Sequence, residues 1–408
     1  MKTWQRNLYI LMAAQGLVMA AMSMVVPFLP LYLYDLGMTD PAQVQRWAGL
    51  IFGINFLSAF VMAPIWGGLA DRYGRKIMIL RSGYGMAIIT ALIAFATSPV
   101  HLLLLRFLNG TISGFVPASV ALTATNTPRE HVGYALGMLQ AGGIAGSILG
   151  PFFGGILAEW IGIRHVFWLT GLLLALATAV VHLFVREIAK PDPRDNGASF
   201  RARAAVILHS PTLLLLFGTA LVVQFAMMGP SPQMPLFVKE LGAPGGYVSF
   251  FAGLVIAAAG AANLLSSPVL GRWSDRYGAH RVLIGASLAA ALLTLPLAFV
   301  TNVWQLLVFR FLLGLAAGGL LPALHALVRK HAPAGMESTA FGYQTSAINL
   351  GNLLGPLSGG LLTGWIGFRG LFLVTASLLL GNALLLWAAS RNMAAAQSNV
   401  TPQKEGRS

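Results

Sequence analysis

Gly67-Gly68-Leu69-Ala70-Asp71-Arg72-Tyr73-Gly74-Arg75-Lys76 sets charge and glycine between two long apolar runs, and the pattern returns 204 residues on as Gly271-Arg272-Trp273-Ser274-Asp275-Arg276-Tyr277-Gly278. Glycine, aspartate, arginine, tyrosine and glycine recur in register, so the chain holds two copies of one unit. An Asp or Arg at the centre of a bilayer costs about 2.5–3.5 kcal/mol, so a charged turn between apolar helices belongs in water or against headgroups. Both copies are therefore expected on the same membrane face.

The surrounding composition agrees. Hydrophobic residues make up 57% of the 408 residues and charged residues only 9%, which describes a polytopic membrane protein rather than a soluble one. The net charge of +14 would suggest nucleic acid in a soluble chain, but here the placement of the charge decides. Cysteine is absent, which excludes disulfides, thiolate metal sites and a cysteine nucleophile. The apolar run from Leu8 to Leu33 is too long for a signal-peptide core and reads as a retained first span.

Apolar runs between polar breaks predict twelve spans, near 8–33, 47–70, 77–97, 100–124, 133–157, 165–185, 211–236, 247–270, 280–301, 303–328, 338–362 and 368–390. Each can cross about 30 Å of hydrocarbon at about 1.5 Å per residue. With both termini cytoplasmic, twenty Lys and Arg residues fall inside and only Arg46, Arg164, Lys239 and Arg369 outside, with Arg106 and Arg310 within spans. That asymmetry is the positive-inside pattern of a multi-pass plasma or inner membrane protein. Residues 186–210, rich in Pro, Asp, Arg and Ser, read as a cytoplasmic linker between a six-helix bundle at 1–185 and another at 211–390, with a cytoplasmic tail at 391–408.

The repeat extends through both halves. Arg106-Phe107-Leu108 and Gly110 return as Arg310-Phe311-Leu312 and Gly314, and Gly146, Gly150-Pro151 and Gly154-Gly155 return as Gly351, Gly355-Pro356 and Gly359-Gly360. Parallel duplication of six spans is a transporter architecture with the substrate site between the halves near midplane.

These residues resemble the major facilitator superfamily, and more narrowly its twelve-span drug:proton antiporters, over nearly the whole chain. The resemblance implies an all-α polytopic fold of two pseudosymmetric six-helix bundles. It makes Gly67, Asp71, Arg72, Gly74, Arg75 and Lys76, with Asp275 and Arg276 in the second copy, candidates for a gating latch. Without it they read as a positive-inside anchor with a tight turn. Gly146, Gly150, Pro151, Gly154 and Gly155 resemble the antiporter motif of the fifth span, a side-chain-free stripe that lets a second helix approach closely. Arg106-Phe107-Leu108-Asn109-Gly110 resembles the span-four signature whose Arg is implicated in proton coupling. Read alone, Arg106 faces a cavity or polar partner, or snorkels to the headgroups about two turns away.

Many relatives carry a carboxylate in mid-span, and none of the twelve Asp and Glu residues here maps there. Proton coupling therefore falls to Arg106, Arg310, His325 or Asp35, with His182 and Glu159 also open, since imidazole titrates near physiological pH and the two carboxylates stand near the outer ends. By resemblance the first, fourth, seventh and tenth spans, with parts of their neighbours, line the cavity. Its candidates are Gln15, Met22, Asn55, Asn109, Ser113, Gln140, Gln224, Met228, Asn263, Gln344 and Asn349, amides with methionine that suit amphipathic compounds of varied shape. Two arginines without an intramembrane acid favour neutral or anionic cargo.

The expected protein is a secondary transporter, not an enzyme, and it exports small amphipathic compounds or drugs in exchange for protons. A sugar or metabolite carrier and a lipid or lysolipid flippase are the alternatives in the same fold. There is no Gly-x-x-x-x-Gly-Lys-Ser/Thr motif to cradle ATP and no grouped intramembrane residues for an embedded enzyme. No cofactor and no metal is expected. The partners are a small-molecule substrate, protons and the lipid bilayer, without nucleic acid, and the chain is expected to be a monomer.

Overall fold

The computed structural model describes residues 3–128, 131–187, 207–333 and 337–398, so most of the expected linker and part of the tail lie outside the described residues. Among these, eleven helices are long and apolar enough to cross a membrane. They are Thr3–Val25, Pro41–Tyr73, Arg75–Ile93, Pro99–Asn126, Val132–Ile161, Ile163–Phe184, Pro211–Glu240, Val248–Tyr277, Ala279–Ala298, Val303–His331 and Glu337–Ser398. The last breaks at Gly367 (φ 70°, ψ −179°) into two spans, which gives the twelve expected from hydropathy. The fold is the all-α polytopic one, with two pseudosymmetric bundles.

Local chemistry places the helix starts. Asp40, Ser98 and Ser210 each stand before a proline at the first helical position, which has no amide hydrogen to satisfy. Their side chains accept from Ala42 N at 3.0 Å, His101 N at 3.2 Å and Leu213 N at 3.4 Å. In the second copy Asn302 does the same for Gln305 N at 2.9 Å, 204 residues after Ser98.

The opening motif requires one correction. It was expected as a charged turn, but Gly67–Tyr73 continues the second helix, and the third begins at Arg75. Only Gly74 separates them, with φ 100°, and Gly278 repeats the joint with φ 94°. A side chain at such a φ is strained, and a single glycine suffices to turn the chain because it carries none. Gly162 (φ 81°) and Gly367 (φ 70°) join the fifth to the sixth and the eleventh to the twelfth spans in the same way.

Two ends of the molecule can now be distinguished: the motif end, where Gly74 and Gly278 lie, and the far end, where Gly162 and Gly367 lie. One apolar core occupies the far end and draws on both halves, from Phe28, Tyr32 and Phe167 to Phe237, Phe251 and Phe372. At the motif end there are two separate cores. One contains Leu11, Ile79, Leu122 and Val181, and the other Leu213, Leu283, Leu324 and Leu386. The second span packs on the eleventh and the fifth on the eighth, and these two seams join the halves.

Candidate functional site

The glycine stripes set how close the helices come. A Cβ on Gly146 would strike the Gly16 carbonyl, one on Gly150 the Ser23 hydroxyl, and one on Gly154 the Met24 carbonyl, so this stripe seats the fifth span on the first. Gly351, Gly355 and Gly359 seat the eleventh on the seventh, against the Leu221, Phe225 and Gly229 carbonyls. Gly155 faces the other way, toward Ser249 and Phe250 of the eighth span, and Gly253 meets the Pro151 carbonyl. Gly360 likewise meets Gln45 and Gly49 across the second seam. Each motif therefore has a face within its half and a residue on the seam. Small residues allow this because dispersion contact, rather than exclusion of water, holds helices together in lipid.

Among the described residues, cross-half contacts run from the far end to mid-span. Gln233 Nε2 donates to the Gln45 carbonyl at 3.3 Å, the Lys239 ammonium stands 3.5 Å from the Tyr34 ring centre, and Gly53 and Gly260 close on Leu357 and Ile148. Toward the motif end the described residues of each half pack into a core of their own.

Arg106 is 4% exposed, so it does not snorkel. Its guanidinium lies 5.6 Å from the Phe52 ring centre. Asn55 Nδ2 donates to the Arg106 carbonyl at 2.9 Å and to Asn109 Oδ1 at 3.4 Å, and Asn109 Nδ2 donates to Thr90 Oγ1 at 3.3 Å. A polar chain thus crosses the second, third and fourth spans directly beneath the arginine. Arg106 Nε and Arg310 Nε are both buried and have no hydrogen-bond partner among the described residues.

The other amides divide between packing and open space. Gln15 is buried, donating to the Leu139 carbonyl at 3.2 Å, and Gln224 donates to Asn352 Oδ1 at 2.6 Å. Asn263 accepts from Ser267 within its own helix, and the Ser113 hydroxyl returns to the Gly110 carbonyl. Gln15, Asn109 and Gln344 are expected to line the hollow, yet all three are buried, because each bonds a neighbouring helix of its own half. Gln140 and Asn349 are exposed, Met22 and Met228 partly buried.

His325 is exposed, with Nδ1 3.0 Å from Gln344 Oε1 and its ring 5.8 Å from that of Phe341. His182 Nδ1 lies 3.3 Å from the Tyr84 hydroxyl. Asp35 stands exposed at the far end, where partial burial lifts its carboxyl above the ordinary aspartate range against the pull of Arg164 and Lys239. Asp275 and Arg276 are exposed. The side chains of Asp71 and Arg72 and the surroundings of Gly67 lie outside the described residues, whereas Lys76 Nζ donates to the His182 carbonyl at 2.8 Å.

Two features escaped the sequence reading. Glu187, placed in the linker, accepts from Arg75 N at 2.8 Å and Lys76 N at 3.1 Å and so caps the third span. Arg81, counted only as a basic residue at the membrane face, lies 3.5 Å above the Trp66 ring. An acid immediately after the sixth span, opposite a helix whose N-cap is Gly74 and so carries no capping side chain, is the available signal for the first.

Comparison with known proteins adds to this geometry. The profile described as Major Facilitator Superfamily matches residues 11–260 and 248–408. The multidrug resistance protein MdtG of Salmonella arizonae is 41% identical over 384 residues, 94% of this chain and 95% of its own. That of Citrobacter koseri is 41% identical over 388 residues, 95% and 96% respectively. A bacterial homologue of the human lysosomal transporter Spinster, inward-facing and occupied, superposes with a TM-score of 0.80 at 17% identity, covering 96% of this chain and 98% of that one. The nucleoside transporter NupG gives 0.75 at 14% identity, covering 94% and 98%. At such identities the two superpositions bear on the fold alone.

Proposed function

Because this chain belongs to the major facilitator superfamily, we propose that its halves rock about a shared central hollow to export small amphipathic compounds, drugs among them, in exchange for protons. It is a secondary transporter of small molecules in a multi-pass inner-membrane setting, and the proposal concerns cargo, coupling and orientation. The motif end faces the cytoplasm together with both termini, because the basic residues gather there. On this reading the far-end core closes the outside, and residues 1–185 and 211–390 are the moving bodies.

One observation carries this reading: among the described residues a single apolar core draws on both halves at the far end, while at the motif end each half has a core of its own. Interfaces of that kind are bistable, and the opposite state exchanges which end is joined. The relatives named for multidrug resistance, matched over nearly the full chain, support drugs as cargo.

Arg106 is the coupling residue. With no carboxylate at mid-span, a buried guanidinium over a chain of amides can hold an anion or a lone pair in the hollow and release it as the halves move. Asn55 and Asn109 fix the backbone and face from which it acts. Uptake into everted vesicles, with and without a pH gradient, tests the reading over a panel of matched cationic, neutral and anionic compounds. Gradient-dependent uptake favouring neutral or anionic compounds is expected, and uptake indifferent to the gradient would remove the antiport assignment.

A further inference from the structure

We propose that Glu159 is the outer latch of the transport cycle, holding the far end shut by capping a helix of the opposite half. The eighth span begins at Val248, and its preceding residue, Tyr247, offers no capping side chain. The first amides of a helix have no intrahelical acceptor and need one from elsewhere. Glu159, at the end of the fifth span, supplies it: Oε1 accepts from Ser249 N at 2.7 Å and from Phe250 N at 3.3 Å. A carboxylate at that position also meets the positive end of the helix dipole. Around it, Gly155 packs on Ser249 and Phe250, and the Phe152 ring lies 6.4 Å from that of Phe250.

The other seam lacks this device. The repeat places Gly364 at the position of Glu159, 205 residues on, and it lies against Arg46 and the Ala42 carbonyl with no acid to offer. The second span, which it faces, is capped by its own Asp40. The second span is therefore held across the halves by packing and one neutral bond, from Gln233 Nε2 to the Gln45 carbonyl, while the eighth is held by packing and by a charged acceptor that its helix start finds only across the halves. Opening the far end must break the Glu159 bonds, and nothing local replaces them, so the latch biases the molecule toward the outside-closed state.

The inference rests on the alternating-access reading and its orientation, and the experiment separates the two. Because the chain has no cysteine, a single introduced thiol reports without background. Ala252, fully buried in the far-end core, is the reporter site, as Ala252→Cys. In intact cells, the rate at which a membrane-impermeant maleimide labels this thiol measures opening to the outside. Glu159→Ala should raise that rate about ten-fold or more, the factor carried by hydrogen bonds to a charged acceptor. Glu159→Gln, which keeps the shape and one weaker acceptor, should raise it by less. Asp40→Ala removes a cap of the same kind that does not cross the halves, and should change the rate less than two-fold. A rate unchanged by Glu159→Ala, or raised equally by Asp40→Ala, overturns the latch. If the parent thiol instead labels faster in everted vesicles than in intact cells, the orientation is what fails.

Discussion

Arg106 and Arg310 occupy equivalent places in the repeat, yet their surroundings differ. Beneath Arg106 lie Phe52, Asn55, Asn109 and Thr90, a ring and a chain of hydrogen-bonding groups. The matching positions in the second half hold Ile256, Ala259, Leu313 and Thr294, and Thr294 turns back to its own Ala290 carbonyl at 2.7 Å. The glycine stripes, in contrast, match partner for partner in both halves. Packing geometry was thus kept through duplication, while the polar support for the charge survives in one copy only. The scaffold is symmetric and the chemistry is not.

The largest expected effect tests the symmetric part. Gly154→Val and Gly359→Val each force a side chain into the backbone of the helix it faces, Met24 in one half and Gly229 in the other. Each should cost about 3 kcal/mol or more, and the two losses should be alike when thermal unfolding is followed in detergent. A large difference would show that the halves no longer share a packing rule. The asymmetric part comes next. Arg106→Ala should abolish gradient-driven transport while leaving the protein inserted, and Arg310→Ala should reduce it no more than about three-fold, within about 0.7 kcal/mol. Equal losses would return the two arginines to equal standing.

A smaller effect sharpens the contrast. Asn55→Ala leaves the Arg106 carbonyl and Asn109 without that donor and should lower transport several-fold, about 1–2 kcal/mol of positioning. Ala259→Ser, at the matching position, has no such chain to break and should leave transport within two-fold. Smallest is the difference between the joints. Gly74→Ala and Gly278→Ala share the strain of a positive φ with an extended ψ, about 1–3 kcal/mol each. A Cβ on Gly74 would also stand 2.9 Å from Glu187 Oε2, while one on Gly278 meets only the His280 ring, at 3.3 Å. The first should therefore unfold at the lower temperature, and a reversed order would show that Glu187 yields freely.

The twelve spans, the duplication and the stripes were legible in the sequence, because hydropathy and recurrence are properties of the chain taken in order. The caps were partly legible: Asp40-Pro41, Ser98-Pro99 and Ser210-Pro211 announce their helices locally. Asn55 and the Arg106 carbonyl lie 51 positions apart, and Glu159 and Ser249 lie 90 apart, so neither pairing has a local signature. Comparing the halves with each other would have pointed to both. Asn55 against Ala259, Asn109 against Leu313 and Glu159 against Gly364 are polar residues that one copy holds and the other lacks. Gln15 against Ala220 shows the same contrast, and its bond to the Leu139 carbonyl, 124 positions away, likewise has no local signature.

The single-glycine joints at Gly74, Gly162, Gly278 and Gly367 leave no slack between the helices they connect. A helix tilted at such a corner drags its neighbour with it, as a hinge with no play transmits a turn from one panel to the next. Eight of the twelve spans are coupled in this manner into four pairs. Their corners point toward opposite membrane faces in each half, so a push delivered on one side of the bilayer is carried to the other without any chain needing to melt.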